Sequence, residues 1–142
     1  EKMNIFDALE KDHDAIRDLF DKVKEDPEKF PKLKKHLEVH HRNEEKFLLD
    51  ELKKKEDFRD EALESIEEHY LLDFLLLDLD NFPKDHERWK IKLGVLKEVV
   101  DHHLEEEEDD IFKEGKENLD DEEMKKWGEK FEENKKEQLE VL

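Results

Sequence analysis

The sequence predicts an all-α fold, an up-down-up-down four-helix bundle with an additional C-terminal helix. Three observations predict it. Apolar residues recur at helical spacing in five segments. Only three Gly and three Pro are present, too few to punctuate many short strands. With 51% of residues charged and 34% apolar, the composition suits long amphipathic helices with charged outer faces and is too lean for a β-sandwich. At 142 residues the chain is expected to form a single domain spanning 1–142, with the bundle over about 4–117 and a trailing helix over about 120–142.

The first helix is expected from about Asn4 to Lys24, with Ile5, Leu9, Ile16, Phe20 and Val23 on one face. Pro27 and Pro31 break it, because proline is poorly tolerated inside a helix. The second covers about Lys32 to Lys55 through Leu33, Leu37, Leu48 and Leu52. The third runs from near Phe58 to about Leu79 through Ala62, Ile66 and Leu76. "LLDFLLLDL" within it is apolar on several sides, which marks either the most buried helix or a dimer contact. Pro83 ends this segment, and Asp85 is placed to cap the fourth, whose stripe is Trp89, Leu93, Leu96, Val100 and Ile111. A fifth segment, about Asp120 to Leu139, carries Met124, Trp127 and Phe131, with acids in its first turn where the helix dipole favours them. Trp89 and Trp127 read as core and helix-docking residues.

Several functions are excluded or disfavoured. A formal charge of −19 opposes nucleic-acid phosphate and anionic membrane surfaces. No cysteine is present, so disulfides, thiolate metal sites and cysteine nucleophiles are ruled out. Ser65 is the only serine, threonine is absent, and no glycine-rich phosphate loop is present, which disfavours covalent hydrolysis and nucleotide binding. The opening residues lack the apolar core of a signal peptide, and the longest apolar run, Phe74 to Leu77, is far short of the roughly 20 residues of a membrane span. A soluble, cytoplasmic protein is expected.

The eight histidines sort by these rows. His13 lies between Leu9 and Ile16. His40 and Glu44 continue the row from Leu37 to Leu48. His69 and Asp73 lie between Ile66 and Leu76, and His103 and Glu107 lie between Val100 and Ile111. His36, His41, His86 and His102 fall off the rows and are expected to meet solvent. Each of four helices thus supplies one inward histidine, and three add an inward carboxylate one turn later. A buried carboxylate needs a cation or a strong partner, and the rows offer no inward Lys or Arg. In an antiparallel bundle, His13, His40 and His69 fall at matching depth, about 16 Å from the helix ends that connect them. His103 falls about two turns too deep unless the third helix overhangs or the stretch from Pro83 to Arg88 is unwound.

Four imidazoles with two or three carboxylates exceed the needs of one tetrahedral zinc. They suit two six-coordinate ions bridged by carboxylates, with iron favoured and manganese or zinc as alternatives. Glu44 and Glu107 are the expected bridges. Asp73, one methylene shorter, is expected to act as ligand, as a water-mediated neighbour, or as a plain polar residue. Tyr70, beside His69, is read as ordinary packing with the option of a hydrogen bond to a ligand.

An inward His, then His-x-x-x-Glu, then a second His and a second His-x-x-x-Glu resembles the hemerythrin-like HHE cation-binding family. "IFDALEKDHDAIRDLF", "HHRNEEKFLLDEL", "SIEEHYLLDFLL" and "VLKEVVDHHLEEEEDDIF" are similar to its four helices in order, and "LDDEEMKKWGEKFEENK" to a trailing helix of some members. The resemblance implies a non-haem pair of iron ions with a bridging oxygen species, held by His13, His40, Glu44, His69, His103 and Glu107. It further implies a small ligand such as O₂, NO or a peroxide, or a response to iron itself, in a monomer or homodimer. The alternatives are an enzyme that oxidises Fe(II) or breaks down peroxide, and a structural zinc-bound or metal-free bundle. The chain departs from oxygen-carrying hemerythrins at Asp73, where they have a second third-helix histidine. It departs again in the four-residue spacing from His103 to Glu107, which would become five if His102 were the ligand. An oxygen-richer ligand set favours sensing or reaction over reversible carriage.

Overall fold

Asn4 starts the first helix. Its side-chain oxygen accepts the Asp7 backbone N–H at 2.9 Å, and α1 (Ile5–Glu25) ends on a turn carrying Lys22 and Lys24, which suit the negative end of the helix dipole. The computed structural model describes residues 3–140, and no strand occurs among them. Asp26 caps a short 3₁₀ turn at Pro27–Lys29, and α2 (Phe30–Glu44) follows. Pro31 sits in its first turn, where a missing N–H costs nothing, so this helix starts two residues before the expected Lys32. A π-helical turn, Glu45–Leu49, extends it to a last short piece, Asp50–Leu52. After a 3₁₀ turn at Glu56–Phe58 come α3 (Arg59–Asp80) and α4 (Arg88–Asp109). A break at Asp110 leads to α5 (Ile111–Asn118), and α6 (Asp121–Glu140) closes the described chain.

Helices α1 to α4 form a closed ring of neighbours, each packed on the next and α4 back on α1, while α6 lies outside against α1 and α2. This is the expected bundle with a trailing helix. The close seating of α6 depends on Gly128: a Cβ there would lie 2.6 Å from the Met3 carbonyl oxygen, so no larger residue fits without moving backbone.

Of the two ways to relieve the depth mismatch of His103, an unwound stretch is present. Residues 81–87 are non-helical, and α4 begins only at Arg88. Its first N–H groups are not capped by Asp85 as expected; His86 Nδ1 accepts the Arg88 N–H at 3.1 Å instead.

The core divides into two apolar clusters. One contains Ile5, Leu9, Leu48, Phe112 and Phe131, and the other Ile16, Phe20, Leu37, Leu72, Trp89 and Val100. Each fully buried side chain of this kind contributes about 1.5–3 kcal/mol. Between the clusters lies a polar layer holding His13, His40, His41, Glu44, His69, His103 and Glu107, all buried. The apolar rows therefore fix the height at which the polar groups meet.

Helix α3 is not the most buried helix. Leu72, Leu76 and Leu79 face the core, but Leu63, Tyr70, Leu71, Phe74 and Leu77 are exposed on its outer face, beside Ile91 and Val95 of α4. Tyr70 is thereby placed away from the polar layer. Among the described residues, no helix is long and apolar enough to cross a membrane.

Candidate metal centre

Six of the seven singled-out residues converge in the polar layer, and each is at most 4% exposed. His13 comes from α1, His40 and Glu44 from α2, His69 from α3, and His103 and Glu107 from α4. Their free atoms form overlapping sets whose members lie within 4.8 Å of one another: Glu44, His69, His103 and Glu107 make one, and His13, His40 and Glu107 another. Glu107 belongs to both. Its Oε1 is 3.4 Å from His103 Nε2 and 3.7 Å from His13 Nε2. Glu44 mirrors it, with Oε1 3.1 Å from His69 Nε2 and 3.8 Å from His40 Nε2. Each carboxylate thus stands between one imidazole of either set.

Four imidazoles are held the same way. His13 Nδ1 meets Glu108 at 2.7 Å, His40 Nδ1 meets Asp12 at 2.6 Å, His69 Nδ1 meets Glu45 at 2.7 Å, and His103 Nδ1 meets Glu68 at 2.5 Å. A carboxylate that accepts from Nδ1–H fixes the ring and its tautomer and leaves the Nε2 lone pair free. These carboxylates form a cycle around the bundle. Asp12 of α1 orients the ring on α2, Glu45 after α2 orients the ring on α3, Glu68 of α3 orients the ring on α4, and Glu108 of α4 orients the ring on α1. Neighbouring helices are thereby pinned at a common height. Three of the four are backed by a cation: Arg17 lies 3.3 Å from Glu108, Arg42 3.1 Å from Glu45, and Lys135 of α6 3.4 Å from Asp12.

The sequence rows missed His41, which is fully buried and does not meet solvent as expected. Its ring stacks on His69 at 4.1 Å between centroids, and it forms a further set with His69 and His103. The rows assume one buried face per helix, whereas α2 is covered by α1, α3 and α6. Successive residues are about 100° apart on a helix. Inside so wide a covered arc His40 can turn to α1 and His41 to α3. His36 is also partly buried, with Nε2 2.8 Å from Asp12. His86 and His102 are exposed as expected.

Asp73 does not join any of these sets. It pairs with Arg42 at 2.8 Å through Oδ2, while Oδ1 is buried without a hydrogen-bond partner, 3.6 Å from His41 Nδ1. His102 lies outside the layer, 3.1 Å from Glu106, so the inward pair on α4 is His103 and Glu107.

Nε2 of His13, His40, His69 and His103, both nitrogens of His41, both Glu44 oxygens and Glu107 Oε1 are buried without a hydrogen-bond partner. Native interiors rarely leave so many polar atoms unmatched, and each costs about 1–3 kcal/mol when orphaned. The electrostatics show the same imbalance. Burial and the charge of Glu44 push the Glu107 carboxyl up to about 7. Burial opposes charge on His69 as well, but Glu44 and Glu45 outweigh it and raise that imidazole to about 10. Burial and the neighbouring imidazoles hold His41 well below the ordinary histidine value, hence neutral. Imidazole nitrogen and carboxylate oxygen with no thiolate fit iron, manganese or zinc.

By fold and donor set this is a cation-binding helical bundle. Residues 4–114 match the family model described as the hemerythrin HHE cation binding domain, and the chain belongs to that family. No curated protein and no solved structure gives a significant match.

Proposed function

We propose that the polar layer holds a pair of iron ions and that the protein is a binder or sensor of a small ligand, O₂, NO or a peroxide. His13 and His40 would hold one ion, His69 and His103 with His41 the other, and Glu44 and Glu107 would span both. The single observation that carries this reading is the sharing of Glu107 between two sets of buried, partnerless donor atoms. Iron held there would supply a change of oxidation state and the affinity for a small ligand. The protein supplies orientation through the four carboxylates, and exclusion of water and bulky reactants through the apolar clusters on either side. With His41 counted, the donor set is richer in nitrogen than the sequence rows implied, which weakens the objection to reversible binding. The reading extends to a single functional domain over 1–142.

The test is to mix reduced, iron-loaded protein with dissolved oxygen. A spectral change that reaches a plateau and reverses when the gas is removed is expected. Sustained oxygen or peroxide consumption would replace this reading with that of an enzyme. A protein that takes up zinc but shows no redox-dependent absorption would make the centre structural.

The proton balance gives a second expectation. Near pH 7 the His69 ring, raised to about 10, carries a proton that a metal must displace, and burial beside Glu44 shifts Glu107 towards its protonated form as well. Uptake of metal should therefore release at least about one proton per chain at pH 7. Apparent affinity should rise with pH through 7 and flatten above about 10, where His69 has lost its proton. An indicator dye in weak buffer reads the release directly. A pH-independent affinity would contradict the assignment of His69 and Glu107 as ligands.

A further inference from the structure

One side of the centre is built differently from the others. Glu108, Glu45 and Asp12 are each closed off by Arg17, Arg42 and Lys135, but among the described residues no Lys or Arg pairs with Glu68. Glu68 opens instead on a small cavity of about 50 Å³ between α3 and α4, whose lining includes Glu64, Ser65, Glu68, Glu106 and Glu107. At its mouth, carboxylate oxygens of Glu64, Glu68 and Glu106 lie within 4.8 Å of one another. Its floor is formed by Ser65, 5% exposed, and Glu107, 4% exposed. Ser65 donates to Glu107 Oε2 at 2.7 Å, while Glu107 Oε1 turns to His13 and His103 and has no hydrogen-bond partner. The Glu107 carboxylate thus spans from the cavity floor to the two donor sets, one oxygen on each side.

The geometry points to a loading port for a divalent cation: Glu64, Glu68 and Glu106 capture the ion at the α3–α4 surface and pass it over Ser65 to Glu107. Carboxylates exchange readily with the water shell of a hard or borderline cation. A space of this volume holds about three or four waters, enough for a partly hydrated ion and too little for an organic substrate. Clustered charge of one sign in a cleft raises the local concentration of the opposite ion and its arrival rate, by about 10-fold or more. Glu68 couples the two ends, because the carboxylate at the mouth is also the one that orients His103.

This inference rests on the metal-binding reading, and the test separates the two. Metal-free protein is mixed with Mn²⁺, and loss of the free-ion electron paramagnetic resonance signal is followed in time. The double variant Glu64→Gln with Glu106→Gln is compared with the double variant Glu25→Gln with Glu28→Gln, exposed residues at and just past the C-terminal end of α1 that change the net charge equally. The port variant is expected to load about 10-fold more slowly and to reach the same final stoichiometry, while the control loads at the wild-type rate. Equal rates in all three proteins, or equal slowing in both variants, overturn the port. A reduced final stoichiometry at unchanged rate also overturns it, since the two glutamates would then be ligands rather than a path. Wild-type protein that takes up no metal overturns both readings together.

Discussion

Glu107→Ala should reduce bound iron from about two ions per chain to a small fraction of one, and Glu44→Ala should do the same. Removing a group that merely orients a ligand typically costs about 10–100-fold in metal affinity, and a carboxylate placed between both sets must cost at least that for each ion. The geometry separates these two residues from the other acids of the same helices. Glu105 and Asp109 flank Glu107 in sequence and face solvent, whereas Glu107 Oε1 faces His13 and His103. A metal ion that binds only the folded protein at about 100 times its dissociation constant adds about 2.7 kcal/mol of stability. Loss of metal should therefore also lower the melting temperature of the iron-loaded sample by several degrees, while the chelator-treated forms stay closer together. His86→Ala, an exposed change outside the polar layer, serves as the control. Metal analysis decides the matter: equal metal loss in all three variants would mean that inward position does not determine binding.

The sequence made the four rows and their order legible because apolar side chains at helical spacing have only one way to be buried together. The positions of His13, His40, Glu44, His69, His103 and Glu107 followed from interruptions in those rows. What stayed hidden arises between helices. The carboxylate that orients each ring is not on that ring's own helix, so no spacing rule within one segment finds it. A weaker signal was nonetheless present: Asp12, Glu45, Glu68 and Glu108 each sit next in sequence to a candidate ligand, namely His13, Glu44, His69 and Glu107. Any helix that turns a ligand inward brings its neighbour to the boundary between two helices, where it can reach the adjacent ring. The π-helical turn that begins at Glu45 was likewise invisible, because its extra residue changes no apolar count. Arg17 and Lys135 could not be assigned from sequence because each acts on a carboxylate of another segment, whereas Arg42 reaches Glu45 three residues along its own helix.

His41 is the residue for which the three-dimensional arrangement changes the chemistry expected. Its four-residue spacing from Glu45 repeats that of His40 from Glu44, so the duplicated "HH…EE" pattern in α2 marked a second histidine, but the single-row rule assigned only one copy. Asp73 offers no imidazole on the third helix, and the ring of His41 stacks on His69 from the neighbouring helix. Both of its nitrogens are buried and without partners, a cost of about 1–3 kcal/mol each that neutral packing does not offset. His41→Phe preserves an aromatic ring of similar shape for the stack and removes both nitrogens. This variant should fold with an unchanged helical circular dichroism spectrum yet bind the ion between His69 and His103 about 10–100-fold more weakly, leaving about one tightly bound ion per chain. Asp73→Asn, in contrast, should keep both ions, since the Asp73 carboxylate pairs with Arg42 and stands 3.6 Å from the nearest His41 nitrogen. Titration of the metal-free variants with Fe(II) under anaerobic conditions distinguishes the two. Full stoichiometry in His41→Phe, or loss of an ion in Asp73→Asn, would return the third-helix carboxylate to the ligand set and reduce His41 to a packing residue.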